Sequence, residues 1–540
     1  MTSCHGTYDF RLLESNMKKP LLLVVFVTIA AVPLTWADQP GGTATGIVYL
    51  DQNNNQVLDK SDTPLAGVKV SNGRQIATTD GEGRYQLSVD NDDILFVIKP
   101  RGMRTPLSKD MLPQFYYIHK PQGSPTTRFP GVAPTGPLPD AINFPLYKQS
   151  EPEQFRAVLF GDTQPRNQKE VDYIAHDVVE ELIGTNASFG VTLGDVVFDD
   201  LMVFNAINQT IGLIGIPWYN VIGNHDLNFE AKQDHHSDET FESIYGPAYY
   251  SFDYGPVHFL VLDDVEWFIP EENGAGTYRG GFGKEQMEFI RNDLARIPEK
   301  QLVVLLMHIP LVNVHDRQEL YRLIEKRPFC MSVSGHTHTH EHRYITKEDG
   351  WLGPQPHHHV INVTVSGSWW SGLPDERGIP HTIMADGAPN GYSIISFDGA
   401  SYQLDFKAAG RSAKYQMQIY APEVVAVDKL TGTTVYVNVF NGSERSKVEM
   451  CLGTGPWISM DHTREIDPGF QKAFDADAAI WNESSPWRKM PTPRESTHLW
   501  KAQLPDGTQT GTLLLRVRST DDKGRTDTSQ RVIRVVQSSN

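Results

Sequence analysis

Between residues 157 and 338 five apolar runs each stop at a polar turn, and this periodicity constrains the fold more than any other feature of the chain. The runs 157–160, 190–193, 219–222, 302–307 and 331–334 lead, in that order, into Gly161-Asp162-Thr163-Gln164, Gly194-Asp195, Gly223-Asn224-His225-Asp226, His308 and Gly335-His336-Thr337-His338. Helical patterns separate them. After the first turn, Asn167-Gln168-Lys169-Glu170 reads as a capping box, and Val171, Ile174, Val178 and Leu182 follow at helical spacing until Gly184. Strands alternating with helices predict an α/β domain, in which groups at the carboxyl ends of strands converge on one crevice. Asp162, Gln164, Asp195, Asn224, His308, His336 and His338 would then share one site. A glycine before most of them is expected to permit the sharp turn that exposes the side chain.

Composition removes several competing readings. With 48 basic and 66 acidic side chains the formal charge is −18, so the long-range field repels nucleic acid and anionic membrane surfaces, and neither is an expected partner. Cys4, Cys330 and Cys451 are the only cysteines, too few for a disulfide framework or a thiolate cluster. Met17-Lys18-Lys19-Pro20, the apolar run 21–32 and Thr35-Trp36-Ala37 have the pattern of an export signal cut after Ala37, with translation starting at Met17. A periplasmic or secreted location is therefore expected, with no membrane span in the mature chain. The expected organisation is multidomain: a signal peptide at 1–37, an N-terminal β-sandwich-like domain at 38–150, a central α/β domain at 151–388 and a C-terminal β-rich domain at 389–540. Alternating runs at 46–50, 85–89 and 94–98 support the first β-domain, and those at 435–439, 513–518 and 532–536 support the second.

The chemistry sits in the central domain. Carboxylates, amide oxygen and imidazoles in one set suit borderline divalent ions such as Zn, Mn or Fe(II), and two ions held close together would explain why so many donors are needed. Any one of these motifs could be an ordinary turn; their joint occurrence, each after an apolar run, favours a metal site. Other features are less specific. His357-His358-His359 lead through the run 360–365 into Gly367-Ser368-Trp369-Trp370-Ser371-Gly372. His359, Trp369 and Trp370 are candidate substrate contacts, the tryptophans as an aromatic wall, although a buried Trp with its N–H satisfied fits equally. His235, His236, His315, His340, His342 and His381 are expected at the surface or in loops. Asp51, Asn53, Asn55, Asp59 and Asp62 fall at positions 1, 3, 5, 9 and 12 of an EF-hand-like calcium loop, with Gln56 in place of the usual Gly. An Asn-rich hairpin turn is the alternative.

Taken together, the motifs over 155–385 resemble those of the calcineurin-like metallophosphoesterases, in the branch with N- and C-terminal β-rich accessory domains. That resemblance implies a β-sandwich flanked by helices as the catalytic core and two divalent metal ions (Mn, Zn, Fe or Mg). It also implies specific roles. Asp162, Gln164 and His338 would ligate the first ion, Asp195 would bridge, and Asn224, His308 and His336 would complete the second. His225 would face the substrate phosphate, and Asp226 is either the acid that keeps it protonated or a turn residue. Gln164 stands where most members have His, and Phe198 where purple acid phosphatases place a ferric-iron tyrosine, so two divalent ions are expected. The implied activity is hydrolysis of phosphate esters by a metal-bound hydroxide. Monoesters, diesters and phosphoproteins remain open as substrates, as does the oligomeric state. The competing reading, a secreted binding or adhesion protein with a degenerate phosphoesterase domain, rests on Gln164.

Overall fold

The computed structural model describes residues 42–538 apart from 272, 273 and 381, and Gly41–Asn540 form one compact unit. The expected signal peptide at 1–37 and the expected loop position of His381 lie outside the described residues.

The central domain is a sandwich of two mixed sheets. In the first, the parallel strands Gln154–Phe160, Phe189–Leu193 and Trp218–Val221 lie side by side. In the second, Val257–Val261, Leu302–Leu306, Cys330–Ser334 and His357–Ile361 run parallel in that order. Leu302–Leu306 and Phe189–Leu193 are buried at every position, as strands covered on both faces must be, which is why they read as unbroken apolar runs. Between the strands lie the helices Phe204–Gly212, Gly283–Leu294 and Arg317–Ile324. Another helical segment begins at Gln168. There Asn167 caps the helix by accepting from Glu170 N–H, while the Glu170 carboxylate accepts from Arg166 N–H, one residue before the position a capping box uses.

Beyond the boundary expected at 388 the chain still contributes strands to the catalytic sandwich. The hairpin Gly391–Asp398 and Ser401–Ala408 completes the first catalytic sheet, Gly391–Asp398 pairing antiparallel with Gln154–Phe160. Its alternating burial belongs to an edge hairpin of the sandwich and is indistinguishable in sequence from the β-rich domain that follows.

On the N-terminal side, two small sheets built around Gly42–Leu50 and Asp93–Ile98 pack onto the catalytic domain. The pairing is mostly antiparallel, but Gly42–Leu50 runs parallel to Phe144–Lys148. Apolar packing is continuous across the junction, with Phe96 on Phe289 and Phe115 on Tyr250. The C-terminal part is a second sandwich with its own core around Val437, Trp500, Leu515 and Ile533. Among the described residues no helix is long and apolar enough to cross a membrane.

Candidate metal centre

Five of the seven parallel strands of the central domain end at a candidate ligand. Asp162 and Gln164 follow Gln154–Phe160, Asp195 follows Phe189–Leu193, Asn224 follows Trp218–Val221, His308 follows Leu302–Leu306 and His336 follows Cys330–Ser334. Both sheets thus deliver donors to one end of the sandwich. The chain is contorted there: Asp162, Gln164, Asp195, Asp199, His336, His338, Trp369 and Trp370 all have positive φ, a backbone state that L-residues adopt at a cost and that clusters at functional sites. The glycines play a different part from the one expected. Only Gly194 among those preceding ligands has positive φ. At Gly223 an added Cβ would lie 2.0 Å from Asp195 N, and at Gly335 2.4 Å from Asp162 Oδ1, so those glycines let the ligand loops touch.

The donors form two groups on either side of Asp195. On one side His308 Nδ1–H donates to the Leu193 carbonyl at 2.9 Å, which turns Nε2 toward Asn224 Oδ1 at 3.1 Å, Asp195 Oδ1 at 3.3 Å and His336 Nδ1 at 3.1 Å. On the other side His338 Nδ1–H donates to the Gly367 carbonyl, so its Nε2 lone pair faces Asp162 Oδ2 at 3.2 Å without a hydrogen bond. Gln164 Nε2–H donates to Asp195 Oδ2 at 2.6 Å, and its buried Oε1 has no partner. Acceptors aimed at one another in a buried site are costly unless a cation lies between them. Imidazoles are the only ion-pair partners of Asp162 and Asp195 among the described residues. Electrostatics agree. Burial alone would lower the His308 pKa, but Asp195 and Asp162 outweigh it and push it up to about 10, so a proton occupies the place suited to a cation. Burial pushes His336 and His338 down to about 3, which leaves both neutral. This donor set fits divalent metal ions.

His225 stands beside the ligands. Its Nδ1 meets Asp199 Oδ1 at 2.6 Å, and its ring lies flat on Phe198 at 4.3 Å, whose ring is stacked by Arg166 at 3.8 Å. Burial lowers the His225 pKa, but Asp195, Asp199 and Asp226 outweigh it and the net shift is upward. Asp199 is thus the hydrogen-bond partner of His225, and Asp226 acts on it only through its charge. The fully buried Asp226 accepts from the N–H groups of Val196, Val197 and Gly223, and ties the Asp195 and Asn224 turns together. Phe198 offers no phenolate and serves as a shelf for the imidazole.

The remaining candidates separate. Trp369 stacks on His338 at 4.0 Å and lines a cleft of about 380 Å³ with Arg166, Ser371, Trp481, Arg488 and Lys489, the last three from the C-terminal part. Trp370 is buried, its indole N–H donating to the Thr163 carbonyl at 3.1 Å, so it braces the first ligand turn and forms no wall. His359 is no substrate contact: it is fully buried, with Nδ1 and Nε2 on the hydroxyls of Ser332 and Ser334. His340 is buried rather than at the surface and His342 is half-buried; both bond to Asn441 Oδ1, and His342 also to His358. In the 51–62 loop the expected calcium oxygens are engaged locally. Asp51 accepts from Asn54 N, Gln56 N and Tyr147 OH, Asn53 Oδ1 and Asn55 Oδ1 each accept a backbone N–H two residues on, Asp59 accepts from both asparagine amides, and Asp62 from Gln52 N and Asp59 N. That is the pattern of an Asn-rich turn.

Three family models match the chain: the N terminal of calcineurin-like phosphoesterase over residues 51–131, calcineurin-like phosphoesterase over 155–340, and the C terminal of calcineurin-like phosphoesterase over 359–526. By sequence, no curated protein matches. Among solved structures, a purple acid phosphatase from yellow lupin (Lupinus luteus) seeds is 15% identical over 69% of this chain and 67% of that one, with a TM-score of 0.33. CopC from Methylosinus trichosporium OB3b is 12% identical over 23% of this chain and 93% of that one, with a TM-score of 0.14. Matched in its N-terminal, catalytic and C-terminal parts, the chain belongs to the calcineurin-like phosphoesterase family and is a metal-dependent phosphoric ester hydrolase.

Proposed function

We propose that the chain is an exported phosphoesterase whose centre holds two divalent cations, one on Asp162, Gln164 and His338 and the other on Asn224, His308 and His336, with Asp195 shared. The observation that carries this reading is the pair of buried atoms Gln164 Oε1 and His338 Nε2, which have no hydrogen-bond partner on one side of Asp195 while His308 Nε2 faces two oxygens on the other. One group has unpartnered atoms and the other crowds an imidazole nitrogen against oxygens, with one carboxylate between them, an arrangement suited to two ions. Bound there, a cation pair supplies Lewis-acid polarisation of the phosphoryl oxygens and acidifies water.

The chain's own groups supply orientation and protons. Asp199 holds His225 Nδ1, leaving Nε2 to donate to the phosphoryl group or the leaving oxygen, and the Phe198 shelf fixes the ring plane. Arg166, Arg488 and Lys489 give the cleft beside Trp369 a positive lining, which suits an ester whose leaving group carries its own negative charge. Export rests on the segment 17–37. Gln164 does not favour a degenerate binding domain, because its unpartnered oxygen is placed among the other donors.

Elemental analysis of the purified chain, paired with turnover of monoester, diester, nucleotide and phosphopeptide panels, tests the reading. Asp195→Asn is expected to lose two equivalents of divalent metal together with turnover. A fully active Asp195→Asn variant would overturn it.

A further inference from the structure

The turn before the strand Asp93–Ile98 and the short helix Glu239–Tyr245 meet at a group of carboxylates and imidazoles that shares no residue with the centre above. The buried ammonium of Lys120 is faced by Asp92 at 2.9 Å, Glu239 at 2.6 Å and Glu242 at 2.8 Å. One positive charge cannot balance three carboxylates, and burial pushes Glu242 up to about 7 despite the lysine. Glu239 uses only half of its carboxylate. Its Oε2 accepts from Lys120 and Ser124, whereas Oε1, on a side chain 1% exposed, has no hydrogen-bond partner and points at His236, 3.9 Å from Nε2. Asp92 mirrors this arrangement: Oδ1 faces Lys120, and Oδ2 lies 3.8 Å from the same imidazole nitrogen. His235 packs against His236 with ring centroids 4.0 Å apart, which brings a nitrogen of each ring and the Asp92 carboxylate within 4.8 Å of one another.

Separations of 3.8 and 3.9 Å are too long for hydrogen bonds, so the imidazole does not satisfy either oxygen directly. They are, however, compatible with two ligands each roughly 2.0–2.2 Å from a shared ion. Asp92 and the two imidazoles form a donor set for Zn or a similar borderline ion, and the unpartnered Glu239 Oε1 lies beside it at His236. We propose that Asp92, His235, His236 and Glu239 form a separate divalent-cation site that fastens the segment after the Asn224 turn to the N-terminal sandwich. The ion offsets the carboxylate excess around Lys120 and joins residues far apart in the chain, so its role is structural.

The test uses the full chain in the Asp195→Asn background, stripped with chelator and reloaded with zinc. Zinc is expected to bind with one equivalent attributable to this site and to raise the melting temperature. Adding His235→Gln and His236→Gln, both at or near the surface and tolerant of substitution, should remove that equivalent and the thermal shift. The same pair of substitutions in the otherwise unaltered chain should leave the metal that Asp195→Asn removes. Equal zinc content and equal thermal response with and without the two histidines would overturn the proposal. Failure of the phosphoesterase reading would show instead in turnover and in the Asp195-dependent metal.

Discussion

Asp199→Asn isolates the charge that steadies His225. Asn is isosteric, tolerates the positive φ of 58° at this position, and can still accept from Nδ1–H, so the substitution removes the carboxylate without disturbing the turn. The bond it weakens is short, 2.6 Å, but Asp199 is 43% exposed and solvent screens the pair. A hydrogen bond to a charged group contributes about 1.5–3 kcal/mol, and that exposure places this one near about 1.5–2 kcal/mol. At roughly tenfold per 1.4 kcal/mol, kcat should fall ~10–30-fold. The assay is kcat on saturating aryl phosphate with metal content measured alongside, repeated with an alkyl ester whose oxygen is a poorer leaving group. The alkyl ester should lose more, because it depends more on the donated proton. His225→Ala should lose ~10²–10⁴-fold, and the double variant should be no worse than His225→Ala alone, since Asp199 acts through the imidazole. A further loss in the double variant, or depleted metal in Asp199→Asn, would refute the reasoning.

The other expectations concern the frame of the site. Asp226→Ala strands three buried N–H groups at about 1–3 kcal/mol each, so melting temperature and metal content should drop together; a normal melt with a selective loss of kcat would restore a catalytic role to Asp226. His258 lies fully buried between Asp253 and Asp293, and although burial lowers its pKa the two carboxylates raise it from 6.5 to about 9. Its stabilisation is therefore complete below pH 6.5 and lost as pH rises through about 9, and urea midpoints that fall no faster across that window in the unaltered chain than in His258→Gln would count against the triad. Arg488→Ala with Lys489→Ala should raise KM for esters with anionic leaving groups while kcat stays within a few-fold, and an unchanged KM would remove the cleft from substrate binding. Chelation should lower the melting temperature, because an ion at about a hundred times its Kd adds about 2.7 kcal/mol; an unchanged melt would argue against ions in the buried donor groups.

What could be read from the chain and what could not have a common physical basis. The ligand turns were legible because a strand covered on both faces is an unbroken apolar run, and the polar residue that ends it marks the carboxyl end of the sheet. Asp199 carries no such mark. Asp199-Asp200 follows Asp195 closely, and Asp200 does what local sequence suggests, its carboxylate capping the short helix Leu201–Val203. Only the approach of His225 from another strand end distinguishes its neighbour. His359 failed for the opposite reason: in sequence it is a candidate substrate contact, yet His357–Ile361 lies inside the sheet beside Cys330–Ser334, where serine hydroxyls satisfy its ring. Hydrogen-bond partners supplied by an adjacent strand cannot be inferred from the strand itself.

The chain's acid excess takes on a different meaning once the positions of its carboxylates are known. A charge of −18 looks unsuited to a substrate that is itself an anion. Several of these carboxylates, however, are not on the surface facing that substrate. Asp162, Asp195, Asp226 and Asp264 are buried around the centre at 0–1% exposure, and Asp264 accepts from the N–H groups of His308 and Ile309 while its Oδ2 has no partner. A buried carboxylate repels a substrate only while its charge is uncompensated, and buried charges persist only when paired. Here divalent cations at the centre would supply the compensation, and the side chains beside it, Arg166, Arg488 and Lys489, are positive. Acidity in the interior and positive charge at the cleft are therefore parts of one arrangement: Asp162 and Asp195, which add to the negative net charge, are the carboxylates that would hold the cations to which a phosphate is drawn.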